Sequence, residues 1–122
     1  MGKDICLDTD SIIEYLKGRN AALKKLLLDG TEVYTTSISA FELRLRETNI
    51  EEVEAFLKDI KILPFDDISS KIASNTFKEL KKKGNPIELK DFFIASIAIK
   101  NNCKLLTNNK KHFERVGELE LA

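Results

Sequence analysis

The sequence has no excess of charge of either sign: 20 Lys and Arg balance 20 Asp and Glu. A general coating of nucleic-acid phosphate by basic side chains is therefore excluded, and any such contact must come from a local patch. Two basic clusters are present, Lys81 to Lys83 and Lys110 with Lys111. The first also reads as a solvated helix end and the second as a solvated loop. Cysteine is scarce, with Cys6 and Cys103 alone. Neither belongs to a Cys-x-x-Cys pair, which argues against a zinc site. Both lie in short apolar segments, where a thiol behaves as a small hydrophobe. No apolar run approaches the roughly 20 residues needed to span a bilayer. No secretory leader is expected, because Asp4 and Asp8 interrupt the short apolar run near the start and no small-residue cleavage site follows. Met1-Gly2 is not a myristoylation signal, since Cys6 stands where Ser or Thr is wanted. The expected location is cytoplasmic. Internal repeats, linkers and low-complexity stretches are also missing.

What is present is a globular composition. Of 122 residues, 43% are hydrophobic and 33% charged, enough aliphatic surface for one core and a single domain over 1–122. Along the chain, strand and helix signals alternate. Ile5 to Leu7 is a short apolar run ending at Asp8, and residues 11–16 carry Ile12, Ile13 and Leu16 at helical spacing before Gly18. Helices are expected over 21–28, 39–47, 51–58, 69–83 and 88–100, and strands over 32–35, 60–63, 104–107 and 119–121. Gly84-Asn85-Pro86 is the clearest break. This alternation implies a three-layer α/β/α sandwich on a mostly parallel sheet. Ligands bind outside the carboxyl ends of the strands in such sheets, which directs attention to the residues after Leu7, Thr35, Leu63 and Leu106.

If the first and fourth strands are parallel neighbours, Asp8 lies level with Thr107, and Cys103 lies two positions below Cys6, beside Asp4. An offset of two residues is about 6–7 Å along a strand, in addition to the gap between strands. That exceeds what a disulfide usually tolerates, so both thiols are expected to be free.

Three carboxylates stand out by position. Asp8 closes the first strand, with Thr9 and Asp10 next to it. Either Asp could serve as a helix N-cap, but one cap needs only one carboxylate. Glu42 completes Ser39-x-x-Glu42, which reads as a capping box, and it also lies just past the second strand on the same sheet edge as Asp8. Asp91 stands near the start of an apolar helix with Ala95 and Ala98 on its face. The helix dipole favours an acid there, yet an acid on a buried small-residue face is expensive unless paired. Acids converging on one edge repel one another and take up protons. A divalent cation resolves that repulsion, and Mg²⁺ or Mn²⁺ prefers such oxygen ligands.

These residues resemble the motifs of the PIN-domain family and, within it, of VapC-type toxins. The apolar strand into Asp8-Thr9-Asp10, with Ile12 and Ile13, resembles the opening motif. Thr36 to Ser39 followed by Phe41-Glu42-Leu43 resembles the second. Asp91 to Ala95 with Ile97-Ala98 resembles the third. Leu105-Leu106-Thr107-Asn108-Asn109, then His112 to Val116, resembles the closing motif. The resemblance covers nearly the whole chain. It implies a metal-dependent endoribonuclease whose metal-binding and catalytic acids are Asp8, Glu42 and Asp91, with Mg²⁺ or Mn²⁺ as cofactor. Thr9 and Thr107 stand in these motifs as supporting residues. It further implies an RNA substrate, a cognate antitoxin as partner, and a homodimer. A fourth acid is often found where this chain has Asn109 or His112, so Asn109 becomes a fourth position without charge. His112, the only histidine, reads as a surface loop residue or as a catalytic or RNA contact.

Two other functions compete. Asp8-Thr9-Asp10 after a strand also resembles the opening motif of haloacid-dehalogenase-type phosphatases, in which Asp8 would be the nucleophile and Asp10 a general acid. A PIN fold that binds RNA or protein without cutting is the other.

Overall fold

The computed structural model describes residues 3–84 and 87–122. Met1-Gly2 and, within the expected break, Asn85 and Pro86 lie outside the described residues. The elements run β1 (Asp4–Leu7), α1 (Thr9–Leu16), α2 (Ala21–Leu28), β2 (Val33–Thr36), α3 (Ser37–Arg44), α4 (Ile50–Lys58), β3 (Lys61–Leu63), α5 (Asp67–Lys82), α6 (Leu89–Lys100), β4 (Cys103–Leu106), α7 (Lys110–Phe113) and β5 (Glu120–Leu121). The sheet order is β3-β2-β1-β4-β5, and every pairing is parallel.

Side-chain alternation along the strands divides the core between the two faces of this sheet. Cys6 and Leu105 point to the face covered by α5 and α6, where they meet Ala73, Leu80, Phe92, Ile94 and Ile97. Ile5, Leu7 and Leu106 point to the opposite face, against Ile12, Leu23, Leu43 and Val53 of α1 to α4. Helices on both faces of one parallel sheet make the expected three-layer α/β/α sandwich, because a parallel strand can be rejoined only by a crossover.

Polar caps fix where the helices begin. Asp8, Asn20 and Asp66 each accept a backbone N–H from the residue three positions on, and so start α1, α2 and α5. Gly18 and Gly30 end the first two helices at positive φ (76° and 75°), a conformation that side chains with a Cβ resist.

Two expectations need correction. The helix after β2 does not open at Ser39. It starts at Ser37 and ends at Arg44, and its cap is Thr36, whose hydroxyl accepts the Ser39 N–H at 3.0 Å. Ser39 is thus inside the first turn, and no Ser39–Glu42 capping box forms. The segment carrying Lys110 and Lys111 is a short helix, α7, where a loop was expected, with both lysines exposed.

The strand registers agree with the placement of the cysteines. Cys6 pairs level with Leu105, and Cys103 with Asp4. Both thiols are free and buried. Among the described residues, no helix is long and apolar enough to cross a membrane.

Candidate active site

The carboxyl ends of β1, β2 and β4 open into one cleft. It is lined by Asp8, Thr9 and Asp10 from the start of α1, Glu42 from α3, Glu88, Lys90, Asp91 and Ile94 at α6, and Asn109 and Phe113 at α7. Four separate chain segments meet there, and three expected acids come together with Thr9 and Asn109.

Asp8 is 4% exposed and engaged on both oxygens. Its Oδ1 accepts the Ser11 N–H at 2.9 Å, and its Oδ2 accepts the Thr107 hydroxyl. Thr107 in turn accepts the Asn109 N–H at 2.9 Å, so one hydroxyl ties the β4–α7 turn to the end of β1. Asp8 is therefore the α1 cap and a wall of the cleft at once; the two roles do not compete. Burial pushes its carboxyl above the usual aspartate range, opposed by the hydrogen bonds from Thr107 and Ser11.

Asp91, 6% exposed, lies in the first turn of α6, with Ala95 and Ala98 buried behind it. Burial raises its carboxyl too, against the hydrogen bond from His112 and the Lys90 charge. His112 is not a free surface residue. Its Nδ1 lies 3.3 Å from Asp91 Oδ2 and 3.0 Å from Asn109 Nδ2. That nitrogen carries either a proton or a lone pair, so it donates to Asp91 or accepts from Asn109. Either way, His112 buttresses the side of the cleft where a fourth acid was missing.

Glu42 is held differently. Thr9 Oγ1 donates to its Oε1 at 2.6 Å, and Lys90 Nζ donates to its Oε2 at 2.9 Å. With no capping box to serve, its carboxylate is turned wholly to these two partners. Lys90 was not foreseen from the sequence. The signal was there: a lysine in the first turn of a helix opposes the dipole, so it needs acids nearby, and Glu88 at 3.7 Å and Glu42 supply them.

Among the described residues, no three Asp, Glu, His or Cys side chains stand close enough to form a ready metal cluster. The donor set nevertheless suits a hard cation. Two buried carboxylates face a polar cleft with a carboxamide beside them, and all offer oxygen. Mg²⁺ characteristically takes one or two carboxylates and keeps several waters, which asks for no closed cage.

Comparison with known proteins agrees with this architecture. A sequence model of the PIN domain matches residues 5–119. The chain belongs to the PIN-domain family. Its similar relatives are VapC ribonucleases. Ribonuclease VapC3 of Methanocaldococcus jannaschii is 42% identical over 77% of this chain and 97% of its own length. Ribonuclease VapC1 of the same organism is 34% identical over 96% of this chain and 84% of its own. Among solved structures, VapBC2 from Rickettsia felis, bound to a DNA fragment from its promoter, superposes with a TM-score of 0.84 at 26% identity, covering 97% of this chain and 96% of that one. A family match of this extent displaces the phosphatase reading, in which Asp8 would be a nucleophile.

Proposed function

We propose that this protein is the toxin of a VapBC-type pair, an endoribonuclease that hydrolyses RNA phosphodiesters in the Asp8–Asp91 cleft with the help of Mg²⁺ or Mn²⁺. One observation carries the reading. Two buried carboxylates from distant parts of the chain line the same open cleft, and burial disfavours the charge of each. Burying a carboxylate's charge is costly, and a cation in the cleft would offset that cost for both acids.

Asp8 and Asp91 would hold the ion, and Asn109 offers a neutral oxygen next to them. Mg²⁺ or Mn²⁺ bound there supplies Lewis acidity toward water and the phosphodiester. The chain's own groups do the positioning. Thr107 and Ser11 fix the Asp8 carboxylate, and His112 with its Nδ1 protonated donates to Asp91. The exposed Lys110 and Lys111, next to Asn109, are suited to RNA phosphate. An antitoxin partner is supported by the VapBC complex among its structural relatives. Exposed Phe41 on α3 and Leu45 at its C-terminal cap, at 61% and 63%, and Leu28 on α2, at 77%, offer apolar surface to a protein partner. A homodimer in the cytoplasm completes the reading.

The test is RNA cleavage by the purified protein in Mn²⁺, with and without EDTA, and in the Asp8→Asn and Asp91→Asn variants. Products with 5′-phosphate ends, lost on chelation and in both variants, are expected. RNA binding without cleavage in Mn²⁺ would instead identify a non-cutting PIN domain.

A further inference from the structure

Lys90 brings a positive charge into a cleft whose other charged groups are all acids. Its ammonium donates to Glu42 Oε2 at 2.9 Å, while Thr9 occupies Oε1 at 2.6 Å. Both Glu42 oxygens are therefore hydrogen-bonded, and among the described residues no three-carboxylate cluster forms. Lys90 and Glu42 also join α6 to α3 across the cleft. The Lys90 side chain is 47% exposed and Glu42 only 19%, so the lysine sits on the solvent side of the pair and the glutamate on the protein side. Glu88, 3.7 Å from Nζ and itself 66% exposed, gives Lys90 a second resting place on the rim.

We propose that Lys90 is a positioning residue that acts through Glu42, serving as an internal counter-cation that competes with the divalent ion for the Glu42 carboxylate. The inference rests on the metal-dependent reading above. When Lys90 stays on Glu42, the ion has only Asp8 and Asp91. When Lys90 moves to Glu88, Glu42 becomes available, and the ammonium is left at the rim of the cleft. Lys90 thereby sets how tightly the cation is held, without being a ligand.

The experiment is calorimetric titration of Mn²⁺ into the full chain, comparing wild type with Lys90→Met, Lys90→Arg, Glu42→Gln and the Lys90→Met, Glu42→Gln double variant. Lys90→Met should bind Mn²⁺ about two- to fivefold more tightly, the factor that a half-exposed competing ion pair is worth. Lys90→Arg should stay near wild type, because the competing charge is kept. In the Glu42→Gln background, removing Lys90 should change the affinity little, since its route of action is gone. An equal tightening with and without Glu42 would show a general field effect and overturn the proposal. Unchanged or weaker binding in Lys90→Met would overturn it as well, leaving the metal reading intact. No Mn²⁺ binding by any of the proteins would overturn both.

Discussion

Thr107→Val tests how the cleft holds its buried charge. The substitution keeps the shape of the side chain and removes one hydroxyl. Two hydrogen bonds go with it: the one Thr107 donates to Asp8 Oδ2 and the one it accepts from Asn109 N at 2.9 Å. Asp8 is 4% exposed, so its carboxylate has little access to water in place of the lost donor. A hydrogen bond to a buried charged group is worth about 1.5–3 kcal/mol. A loss of about 2–3 kcal/mol is therefore expected near pH 8, a large share of the roughly 5–15 kcal/mol that holds a domain together. The loss should depend on pH. Burial raises the Asp8 carboxyl above its unfolded value, and the Thr107 bond opposes that rise. A raised carboxyl costs stability above its folded pKa, and the cost fades as pH falls towards the unfolded value. Removing Thr107 raises the carboxyl further, so the gap between variant and wild type is widest at pH 8 and narrows towards pH 4. Urea unfolding in EDTA at the two pH values, read as midpoints at constant slope, measures it. A pH-independent loss, or one below about 0.5 kcal/mol at pH 8, would refute the account of Asp8 as a charge kept by Thr107.

Further outcomes follow from the same geometry. Asp8→Asn and Asp91→Asn should each cut the rate of RNA cleavage in Mn²⁺ by at least about 100-fold, as expected when several kcal/mol of metal assistance is lost. Glu42→Gln should retain more activity than either, because Glu42 is tied to Thr9 and Lys90; if it is the most damaged of the three, the division of roles is wrong. Cys6 and Cys103 should resist thiol reagents in the native protein and react as two thiols after unfolding, since both are buried and burial pushes both thiols up; an intact mass two hydrogens short under non-reducing conditions would contradict the β1–β4 register. Ile97→Ala, at a fully buried position on α6, should cost about 2–5 kcal/mol in urea unfolding, and a loss under 1 kcal/mol would mean that the α6 face of the sheet is not a close-packed core.

The layered architecture was legible along the chain. A period-two or continuous apolar run and a 3.6-residue period are local properties, and the chain's alternation of them leaves few packings other than helices over a parallel sheet. The position of Asp8 at the mouth of that sheet was legible too, because Asp8 closes the first strand; that Asp91 joins it there was an expectation from the family resemblance. Once β1 and β4 are neighbours, their register follows from the sequence, since both strands end in a polar residue at the same sheet edge. What the sequence left open was which of two local partners each polar group would choose. Ser39-x-x-Glu42 satisfies the capping pattern, yet Thr36 caps the helix, because β2 runs one residue further and delivers its hydroxyl to the turn first. Glu42 turns to Thr9, 33 residues away, and to Lys90, 48 residues away, through the packing of α1, α3 and α6. His112, read from sequence as a loop residue, meets Asp91 because the short helix α7 folds back over the cleft. Hydrogen bonds of this kind depend on which side chains several distant segments bring within about 3 Å, and no period along the chain encodes that distance.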